Sequence, residues 1–498
     1  MMNGRGKSDG FVVPEKPPNR DLTRSAEAVE GRDPTKGNAG QQTTSRTQSR
    51  SNDVSQTLDR VREAARKDQK ARFTALLHHV TLERMRLAFH ALKRNASPGV
   101  DGVTWEQYAQ DLESNLAGLH RRLHCGAYRA KPSRRAYIPK ADGRQRPLGV
   151  AALGDKLVQR AVVDVMNAIY EEDFLGFSYG FRPGRRPHHA LDALATGILR
   201  KKVNWVLDAD IRGFFDAISH EWLLRFVEHR IADPRMLRLI RKWLRAGVLE
   251  HGTWSMTEEG TPQGATVSPL LANLYLHYVF DLWIQRWRKT RARGEVIVVR
   301  YADDFIVGFQ DGTDAQTFLH ELRERLRTFG LELHPDKTRL IRFGKNARSN
   351  RKERGERKPE TFDFLGLTHI CGRTHSGRFL LERRTMRKRM RAKLREIKEE
   401  LLRRRHRPVP EQGAWLRAVV RGYFAYHAVP TNIHSLVAFR TQVGRLWCRA
   451  LRRRSQRHRL NWTRMARYRE TWLPRARILH PWPDQRFDAR TQGRSPVR

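Results

Sequence analysis

The alternation of apolar and polar residues predicts a β-strand at 203–211. Asp208 and Asp210 would share one face of this strand, because side chains two residues apart point the same way. The opposite face would be apolar and formed by Trp205, Leu207, Ala209 and Ile211. Residues 212–216, Arg-Gly-Phe-Phe-Asp, interrupt the alternation, so we expect the strand to end beside Asp210.

A second pattern predicts a β-hairpin. Apolar runs at 296–299 and 305–309 flank the tetrapeptide Tyr-Ala-Asp-Asp at 301–304, and two such runs joined by a tight turn are typical of a hairpin. Asp303 and Asp304 would lie at its tip. Neighbouring carboxylates repel each other unless a cation neutralises them, and Mg²⁺ prefers hard oxygen ligands. The tip therefore suggests metal-dependent phosphoryl transfer, although four residues taken alone are more typical of a solvated turn.

Further motifs occur in the order found in template-directed polymerases. The strand that ends at Asp210 resembles motif A of these enzymes, and the Tyr-Ala-Asp-Asp hairpin resembles motif C. A glycine-containing loop at 260–264 and a Ser-Pro helix start at 268–269 lie between them. Beyond them, 330–338 resembles motif D and 364–367 resembles the turn that grips the primer strand. This ordered set resembles a reverse transcriptase.

The resemblance narrows to the reverse transcriptases and maturases encoded by group II introns. It is carried by the segments 97–102 (Ser-Pro-Gly-Val-Asp-Gly), 138–140, 146–149, 178–185 (Ser-Tyr-Gly-Phe-Arg-Pro-Gly-Arg) and 422–432 (Gly-Tyr-Phe-Ala-Tyr-His-Ala-Val-Pro-Thr-Asn). The similarity runs from about residue 58 to the C-terminus. Family members with an endonuclease carry a further Cys/His-rich module, which this sequence does not show. We therefore expect the endonuclease-lacking bacterial type, which would prime from a nicked or replicating DNA strand.

The resemblance implies which residues carry the chemistry. Asp210, Asp303 and Asp304 would be catalytic and would hold two Mg²⁺ ions, which activate the primer 3′-hydroxyl and stabilise the leaving pyrophosphate. Asp208 and Asp216 would be structural or solvating. The implied nucleotide-binding residues are Lys140, Arg146, Phe215, Gln263, Gly264 and Lys337. The Phe215 ring would exclude a 2′-hydroxyl group on the incoming nucleotide. Lys140 and Arg146 would contact either the triphosphate or the template RNA, and the sequence does not favour one over the other.

The implied partners are nucleic acids and nucleotides. Intron RNA would contact Arg182, Arg387, Arg391 and Arg395. The other expected partners are an RNA template with a DNA primer, target DNA and deoxynucleoside triphosphates. The protein would copy RNA into DNA, hold its intron RNA during splicing and support intron mobility by target-primed reverse transcription.

The same reasoning predicts an α+β fold of the right-hand polymerase type. We expect a disordered tail at 1–53, helical fingers and an antiparallel-sheet palm at 54–370, an all-α thumb or maturase domain at 371–475, and a basic aromatic tail at 476–498. Charge runs are usually solvated, so 345–358 is expected to be a linker. The first thumb helix would bury Met386, Met390, Leu394, Ile397 and Leu401. Helices at 411–426 and 433–451 would bury Trp415, Val419 and Tyr423, and Leu436, Phe439, Val443 and Trp447, respectively.

Composition agrees with a nucleic-acid partner. The 498 residues include 97 Lys and Arg against 53 Asp and Glu, a net charge of +44, which suits a protein that neutralises many phosphates. A basic ribosome-associated protein would share this charge but lack the ordered carboxylate motifs. Three scattered cysteines favour neither a disulfide framework nor a zinc site. Without an apolar run or a targeting segment, we expect a cytoplasmic bacterial protein associated with the nucleoid and not with a membrane.

Two other functional classes stay open at this point. The first is a reverse transcriptase of another prokaryotic class, such as a diversity-generating, retron or defence-associated enzyme. The maturase-like segment 422–432 argues against it. The second is a non-enzymatic RNA-binding splicing factor descended from a maturase. Such factors typically lose the paired carboxylates, whereas Asp210, Asp303 and Asp304 are all present.

Overall fold

The computed structural model describes residues 57–139, 145–250, 252–353, 355–356, 358–454 and 460–491. The α-helices in this part of the chain are α1 (Asp59–Lys67), α2 (Leu82–Ala91), α3 (Trp105–Gln110), α4 (Leu112–His124), α5 (Leu153–Asp173), α6 (Pro187–Arg200), α7 (His220–Glu228), α8 (Pro234–Arg245), α9 (Ser268–Leu276), α10 (Leu282–Thr290), α11 (Gly312–Thr328), α12 (Ala347–Glu353), α13 (Arg387–Arg403), α14 (Val409–His427), α15 (Ile433–Arg452), α16 (Trp462–Trp472) and α17 (Pro483–Thr491). The strands are β1 (Ser133–Pro139), β2 (Gln145–Val150), β3 (Trp205–Ala209), β4 (Val248–Glu250), β5 (Thr253–Ser255), β6 (Val296–Tyr301), β7 (Asp304–Phe309), β8 (Arg339–Arg342), β9 (Phe362–Phe364), β10 (Leu367–Arg373) and β11 (Phe379–Thr385). This mixture of helices and largely antiparallel strands confirms the predicted α+β class.

The central sheet is antiparallel, with the strand order β6-β7-β3-β8. The predicted hairpin is formed by β6 and β7, which pair from Val296↔Phe309 to Tyr301↔Asp304. The predicted strand β3 lies directly beside β7, with Ala209 opposite Phe305. The two elements that the alternation of residues predicted are therefore neighbours in one sheet.

Each face of the central sheet packs against a different layer. Leu207, Ala209 and Phe305 belong to a core that includes helices α5, α9 and α11. Val206 and Ile306, on the other face, belong to a second core that includes α6 and the strands β9–β11. The predicted apolar face of β3 is thus confirmed, and its acidic side chains emerge at the edge of the opposite face.

The N-terminal region consists of helices α1–α5 and a second sheet of order β2-β1-β4-β5. In that sheet β1 pairs with β4 in parallel, and its other pairings are antiparallel. Strand β2 lies beside the loop at 260–264, because the Gly149 amide donates a 2.6 Å hydrogen bond to the Gln263 carbonyl. This contact connects the N-terminal region to the loop that precedes α9.

The segment between the central sheet and the C-terminal helices differs from the prediction. The boundary expected at 370 falls inside β10, and the sheet of order β11-β10-β9 continues to Thr385. The expected linker at 345–358 contains the short helix α12 instead. Within it, Arg351 forms ion pairs with Glu356 and Glu360, so a charge run that would otherwise be solvated folds back on itself.

The C-terminal helices form a bundle with its own core. Ile397 and Leu401 of α13 are buried, and Met390 and Leu394 pack against the same core, as predicted. Met386, the fifth predicted member, precedes the helix and is half-buried. The residues predicted to be buried in α15, Leu436, Phe439, Val443 and Trp447, are all fully buried. Helix α16 adds a fourth member that the sequence did not reveal, and Met465 of α16 is fully buried.

The last described segment packs on α6 through α17. The Phe487 side chain is buried in the core on that side of the central sheet, and Arg486 forms an ion pair with Asp192 of α6. The region expected to be a basic aromatic tail at 476–498 therefore contains a packed helix. Throughout the described ranges, every helix is too short or too polar to span a lipid bilayer.

Candidate active site

The site is built where β3 ends beside the β6–β7 turn. Because Ala209 pairs with Phe305, Asp210 follows β3 at the level of Asp304, the first residue of β7. The hairpin reverses over Ala302 and Asp303, and Ala302 adopts a left-handed backbone conformation with φ of 57°. Asp210, Asp303 and Asp304 are thus brought together from two elements that are about ninety residues apart in sequence.

The carboxylates influence one another electrostatically. Surrounding protein raises the pKa of Asp304 to about 7, first through desolvation and then through repulsion by Asp303 and Asp210. Because Asp304 is exposed to solvent, we attribute its raised pKa mainly to repulsion by the neighbouring carboxylates. Arg389 of α13 opposes the shift, which places the first helix of the C-terminal bundle beside the same site. Such crowding favours the binding of a cation.

Asp208 lies on the same strand face but is neutralised within the protein. It is directly opposite Arg339 of β8, and the two side chains form a 3.1 Å ion pair. Burial raises the pKa of Asp208, while Arg339 lowers it. This pairing fits the structural role expected for Asp208.

Lys337 lies at the carboxylates, where its Nζ donates to Oδ2 of Asp210 in an ion pair. Its loop is held in place because the His334 amide donates a 2.8 Å hydrogen bond to the Asp210 carbonyl. The structure therefore brings this predicted nucleotide-binding residue to the site, and its ammonium group supplies one positive charge there.

The donor set fits Mg²⁺ that is completed by a substrate. Among the described residues, there is no group of three His, Cys, Asp or Glu side chains that could enclose an ion by itself. Mg²⁺ in enzymes of phosphoryl transfer is usually held by one or two carboxylates together with substrate phosphates, so an all-protein cage is not required. The clustered carboxylates and their mutual repulsion match that mode of binding.

Phe215 lies in the turn that follows Asp210. The turn begins at Gly213, which has a φ of 56°, and is anchored by the buried Phe214 ring. Phe215 is half-buried, and its carbonyl accepts a 2.8 Å hydrogen bond from the Thr261 amide. The turn after β3 is therefore hydrogen-bonded directly to the loop at 260–264.

The other predicted nucleotide contacts lie on the loop at 260–264 and on β2. Gly264 has a φ of 106°, and a Cβ there would lie 3.0 Å from the Gly149 carbonyl oxygen, so only glycine fits the close approach to β2. Arg146 is half-buried on β2, opposite Ile138 of β1. Lys140 lies outside the described residues.

The predicted RNA contact by Arg182 is wrong. Its side chain is fully buried and donates to Glu171 over 2.9–3.1 Å and to the carbonyls of Leu175 and Ser178 at 2.8 and 2.9 Å. A guanidinium enclosed in this way cannot reach RNA. By contrast, Arg387, Arg391 and Arg395 are exposed and follow one another at intervals of four residues along α13.

Sequence reasoning missed a second buried arginine, Arg300, which precedes Tyr301 on β6 and is fully buried. It donates to the carboxylate of Asp281 and to the carbonyl of Ala302 in the hairpin turn. The signal was available, because an arginine inside an otherwise apolar strand requires a buried partner. The partner could not be identified from sequence spacing alone.

Comparison with known proteins gives consistent matches. Residues 138–369 match the family model described as reverse transcriptase (RNA-dependent DNA polymerase). The chain is 38% identical over 277 residues to protein YkfC of Escherichia coli, a match that covers 49% of this chain and 72% of YkfC. It is 38% identical over 192 residues to the group II intron-encoded protein LtrA of Lactococcus lactis, covering 38% of this chain and 32% of LtrA. An uncharacterised 91 kDa protein in the cob intron of Schizosaccharomyces pombe is 39% identical over 188 residues, 22% of its length.

Proposed function

The chain belongs to the reverse transcriptase and maturase family of group II introns and carries an RNA-directed DNA polymerase domain, and from this premise we propose the rest of its function. It copies RNA into DNA, binds its own intron RNA to assist splicing, and supports intron mobility by target-primed reverse transcription. Its substrates are deoxynucleoside triphosphates and a DNA primer on an RNA template.

The observation that supports this proposal most directly is the convergence of Asp210, Asp303 and Asp304 beside the β3–β7 pairing. In this assignment the central sheet is the palm of a right-hand polymerase. The N-terminal helices and the sheet of β1, β2, β4 and β5 are the fingers, and the bundle of α13–α16 is the thumb.

Asp210, Asp303 and Asp304 would hold two Mg²⁺ ions, which supply Lewis acidity for the primer hydroxyl and neutralise charge on the triphosphate. Lys337 would leave Asp210 as this positive charge arrives and would then face the phosphates of the nucleotide. Asp208 stays paired with Arg339 and takes no direct part.

The surfaces around the carboxylates would select the nucleotide. The half-buried Phe215 ring follows Asp210 and would lie against C2′ of the incoming sugar, where it excludes a hydroxyl group. Gln263 and Gly264 would support the new base pair from the loop that contacts β2. Arg146 would contact either the triphosphate or the template, and Lys140 is proposed for the same role from the sequence.

Intron RNA would be bound by cationic surfaces outside the palm. Arg387, Arg391 and Arg395 form an exposed stripe on α13, while Ile397 and Leu401 hold that helix to the bundle. Such a stripe suits the recognition of RNA shape and phosphates. Binding of this kind does not use the palm carboxylates, so splicing assistance and polymerisation can be separated.

Primer extension tests the proposal. Purified full-length protein is given an RNA template annealed to a DNA primer, deoxynucleotides and Mg²⁺, and we expect template-dependent DNA product. In parallel, splicing of the cognate intron RNA is followed at a low Mg²⁺ concentration with and without protein. Absence of extension on every template would exclude the polymerase, and unaltered splicing would exclude the maturase role.

A further inference from the structure

Arg300 uses its whole guanidinium group inside the protein. Its Nε donates to Asp281 Oδ1 at 2.7 Å, and its Nη2 donates to Asp281 Oδ2 at 2.5 Å and to Ser178 Oγ at 2.7 Å. Its Nη1 donates to Asn273 Oδ1 at 3.0 Å and to the Ala302 carbonyl at 2.9 Å. A guanidinium has five N–H donors, so all of them are occupied by this set of hydrogen bonds.

Outside the hairpin turn, the partners come from the consecutive helical segments at 268–290 and from the segment before α6. Asn273 belongs to α9, the helix that follows the loop at 260–264. Asp281 ends a π-helical turn, His277–Asp281, and such turns in α-helices often occur at functional sites. Ser178 belongs to the segment before α6. Asn273 also contacts this segment, because its Nδ2 donates a 2.6 Å hydrogen bond to the Gly180 carbonyl. Arg300 therefore joins α9 to the turn at Ala302 and Asp303, which we call the catalytic turn.

The catalytic turn needs this support. Ala302 has a left-handed backbone conformation, which costs free energy for any residue with a Cβ. A Cβ at Gly180 would lie only 2.2 Å from the Ala302 nitrogen, so the turn also rests directly on the segment that carries Ser178. The hydrogen bond from Arg300 to the Ala302 carbonyl gives the turn a second point of support.

We propose that Arg300, held by Asp281 and Asn273, is a positioning residue for polymerisation that sets the Ala302–Asp303 turn and thereby the carboxylates of Asp303 and Asp304. This inference rests on the proposed polymerase function. It assigns to a buried ion pair the task of coupling α9, and through it the loop at 260–264, to the positions of the Asp303 and Asp304 carboxylates. Displacement of catalytic groups by about 1 Å can cost about 100-fold in rate, so small changes in this network are amplified.

The chain offers a matched control for the stability of a buried ion pair. Arg230 is likewise buried, forms a 3.2 Å ion pair with Asp173, and donates to the carbonyls of Asp68 and Ala65. These partners lie in the N-terminal region and not in the hairpin. If Arg300 served only the fold, Arg300→Lys and Arg230→Lys would affect activity equally at equal loss of thermal stability.

The test compares Arg300→Lys, Asp281→Asn and the milder Ser178→Ala with Arg230→Lys in the full-length protein. For the Arg300 and Asp281 variants we expect kcat for primer extension to fall about 10- to 100-fold, while KM for nucleotide and affinity for template–primer change by less than about twofold. Ser178→Ala removes one hydrogen-bond acceptor with little change in volume and should give a smaller loss of the same kind. Arg230→Lys should lower the melting temperature without this split.

A second measurement does not depend on polymerisation. Mn²⁺ titration followed by electron paramagnetic resonance, on protein bound to template–primer, should show weaker Mn²⁺ binding in Arg300→Lys and Ser178→Ala than in wild type or Arg230→Lys. If wild type fails to extend primers, the proposed function fails, while the Mn²⁺ series still decides whether Arg300 positions the carboxylates. Equal kcat values and equal Mn²⁺ affinities in the Arg300 and Arg230 variants would overturn the inference.

Discussion

Lys337 forms an ion pair with Asp210, although 127 positions separate them in the chain. The pair places an exposed ammonium group where a metal cation is proposed to bind. Lys337 therefore competes for the carboxylate in the metal-free protein and is free to contact nucleotide once the charge is replaced.

Lys337→Gln should separate these two effects. We expect the Mg²⁺ concentration for half-maximal primer extension to fall, because Asp210 no longer has an internal partner, and KM for nucleotide to rise about 3- to 10-fold. Arg339→Gln is the matched control, since it frees Asp208 instead and should leave the nucleotide KM unchanged. An unchanged Mg²⁺ requirement in Lys337→Gln would show that the ion pair does not oppose metal binding.

Replacing Asp303 and Asp304 together by Asn should abolish polymerisation and leave splicing intact. We expect cDNA synthesis to fall by about 10³-fold or more, because the proposed metal ligands are lost, while intron RNA binding stays within about twofold. In EDTA the melting temperature should stay equal or rise, since the change removes the repulsion that raises the pKa of Asp304. Equal loss of splicing and polymerisation in a folded variant would contradict the proposed separation.

Phe215→Ala should admit ribonucleotides. We expect the preference for deoxynucleotides over ribonucleotides to fall about 10- to 100-fold, with weaker overall extension, because the half-buried ring no longer fills the space beside C2′. Phe318→Ala is the control, since that ring is buried against Trp283 and Trp287 of α10 and its loss should cost about 3–5 kcal/mol of stability without changing sugar selection. Single-nucleotide extension with each sugar measures the ratio, and an unaltered ratio excludes Phe215 as the gate.

Charge reversal on α13 should weaken RNA binding. With Arg387, Arg391 and Arg395 all changed to Glu, we expect a lower affinity for intron RNA. The slope of the logarithm of the binding constant against the logarithm of the salt concentration should also become shallower, by about 0.7–0.9 for each phosphate that the variant no longer neutralises. The same three residues changed to Lys keep their charge and should keep most of the affinity. Filter binding over a salt series gives both slopes, and identical slopes would remove α13 from the RNA interface.

Acid should loosen the contact between α6, the C-terminal bundle and the last described segment. Burial lowers the pKa of His188 to about 3, although its Nε2 donates a 2.8 Å hydrogen bond to the Tyr426 carbonyl. Its ring stacks on His480 at 4.2 Å, and the charged groups around it are Arg383, Arg486 and Asp192. Because the folded pKa lies below the unfolded value, this stability is full above about pH 6.5 and is lost as the pH falls toward 3.

The measurement for this pH effect is the melting temperature between pH 7.5 and 4.5, about the range in which an unfolded histidine becomes charged. We expect His188→Gln to decline less steeply than wild type as the pH falls. His375→Gln changes an exposed histidine and serves as the control. Parallel curves for wild type and His188→Gln would show that another group governs acid sensitivity.

Much of the site followed from the sequence because its elements are local. The alternation at 203–211 determines which side chains share a face, and the two apolar runs around 301–304 require a hairpin. The helical stripe of α15 was also sufficient, since Leu436, Phe439, Val443 and Trp447 are fully buried as the spacing predicts. Patterns of period two or 3.6 need no knowledge of distant contacts.

The remaining features depend on contacts that no local pattern encodes. Arg182 lies in a basic motif that suggests RNA binding, but its partner Glu171 comes from the end of α5. The charge run at 345–358 folds because Arg351 finds Glu360. Helix α16 escaped notice because basic residues surround its few apolar positions, and Met465 is recognisable as core only once α14 and α15 are in place.

The pairing of β3 with β7 makes the strand unusually intolerant of changes in length. Substitution of one residue leaves Asp210 on the same face as before, whereas deletion of a single residue between Trp205 and Ala209 would rotate every later side chain to the opposite face. Asp208 and Asp210 would then point into the core around Leu207, and apolar groups would take their place at the surface. Within this segment, insertions and deletions should therefore be excluded from any library of active variants, even where many single replacements survive.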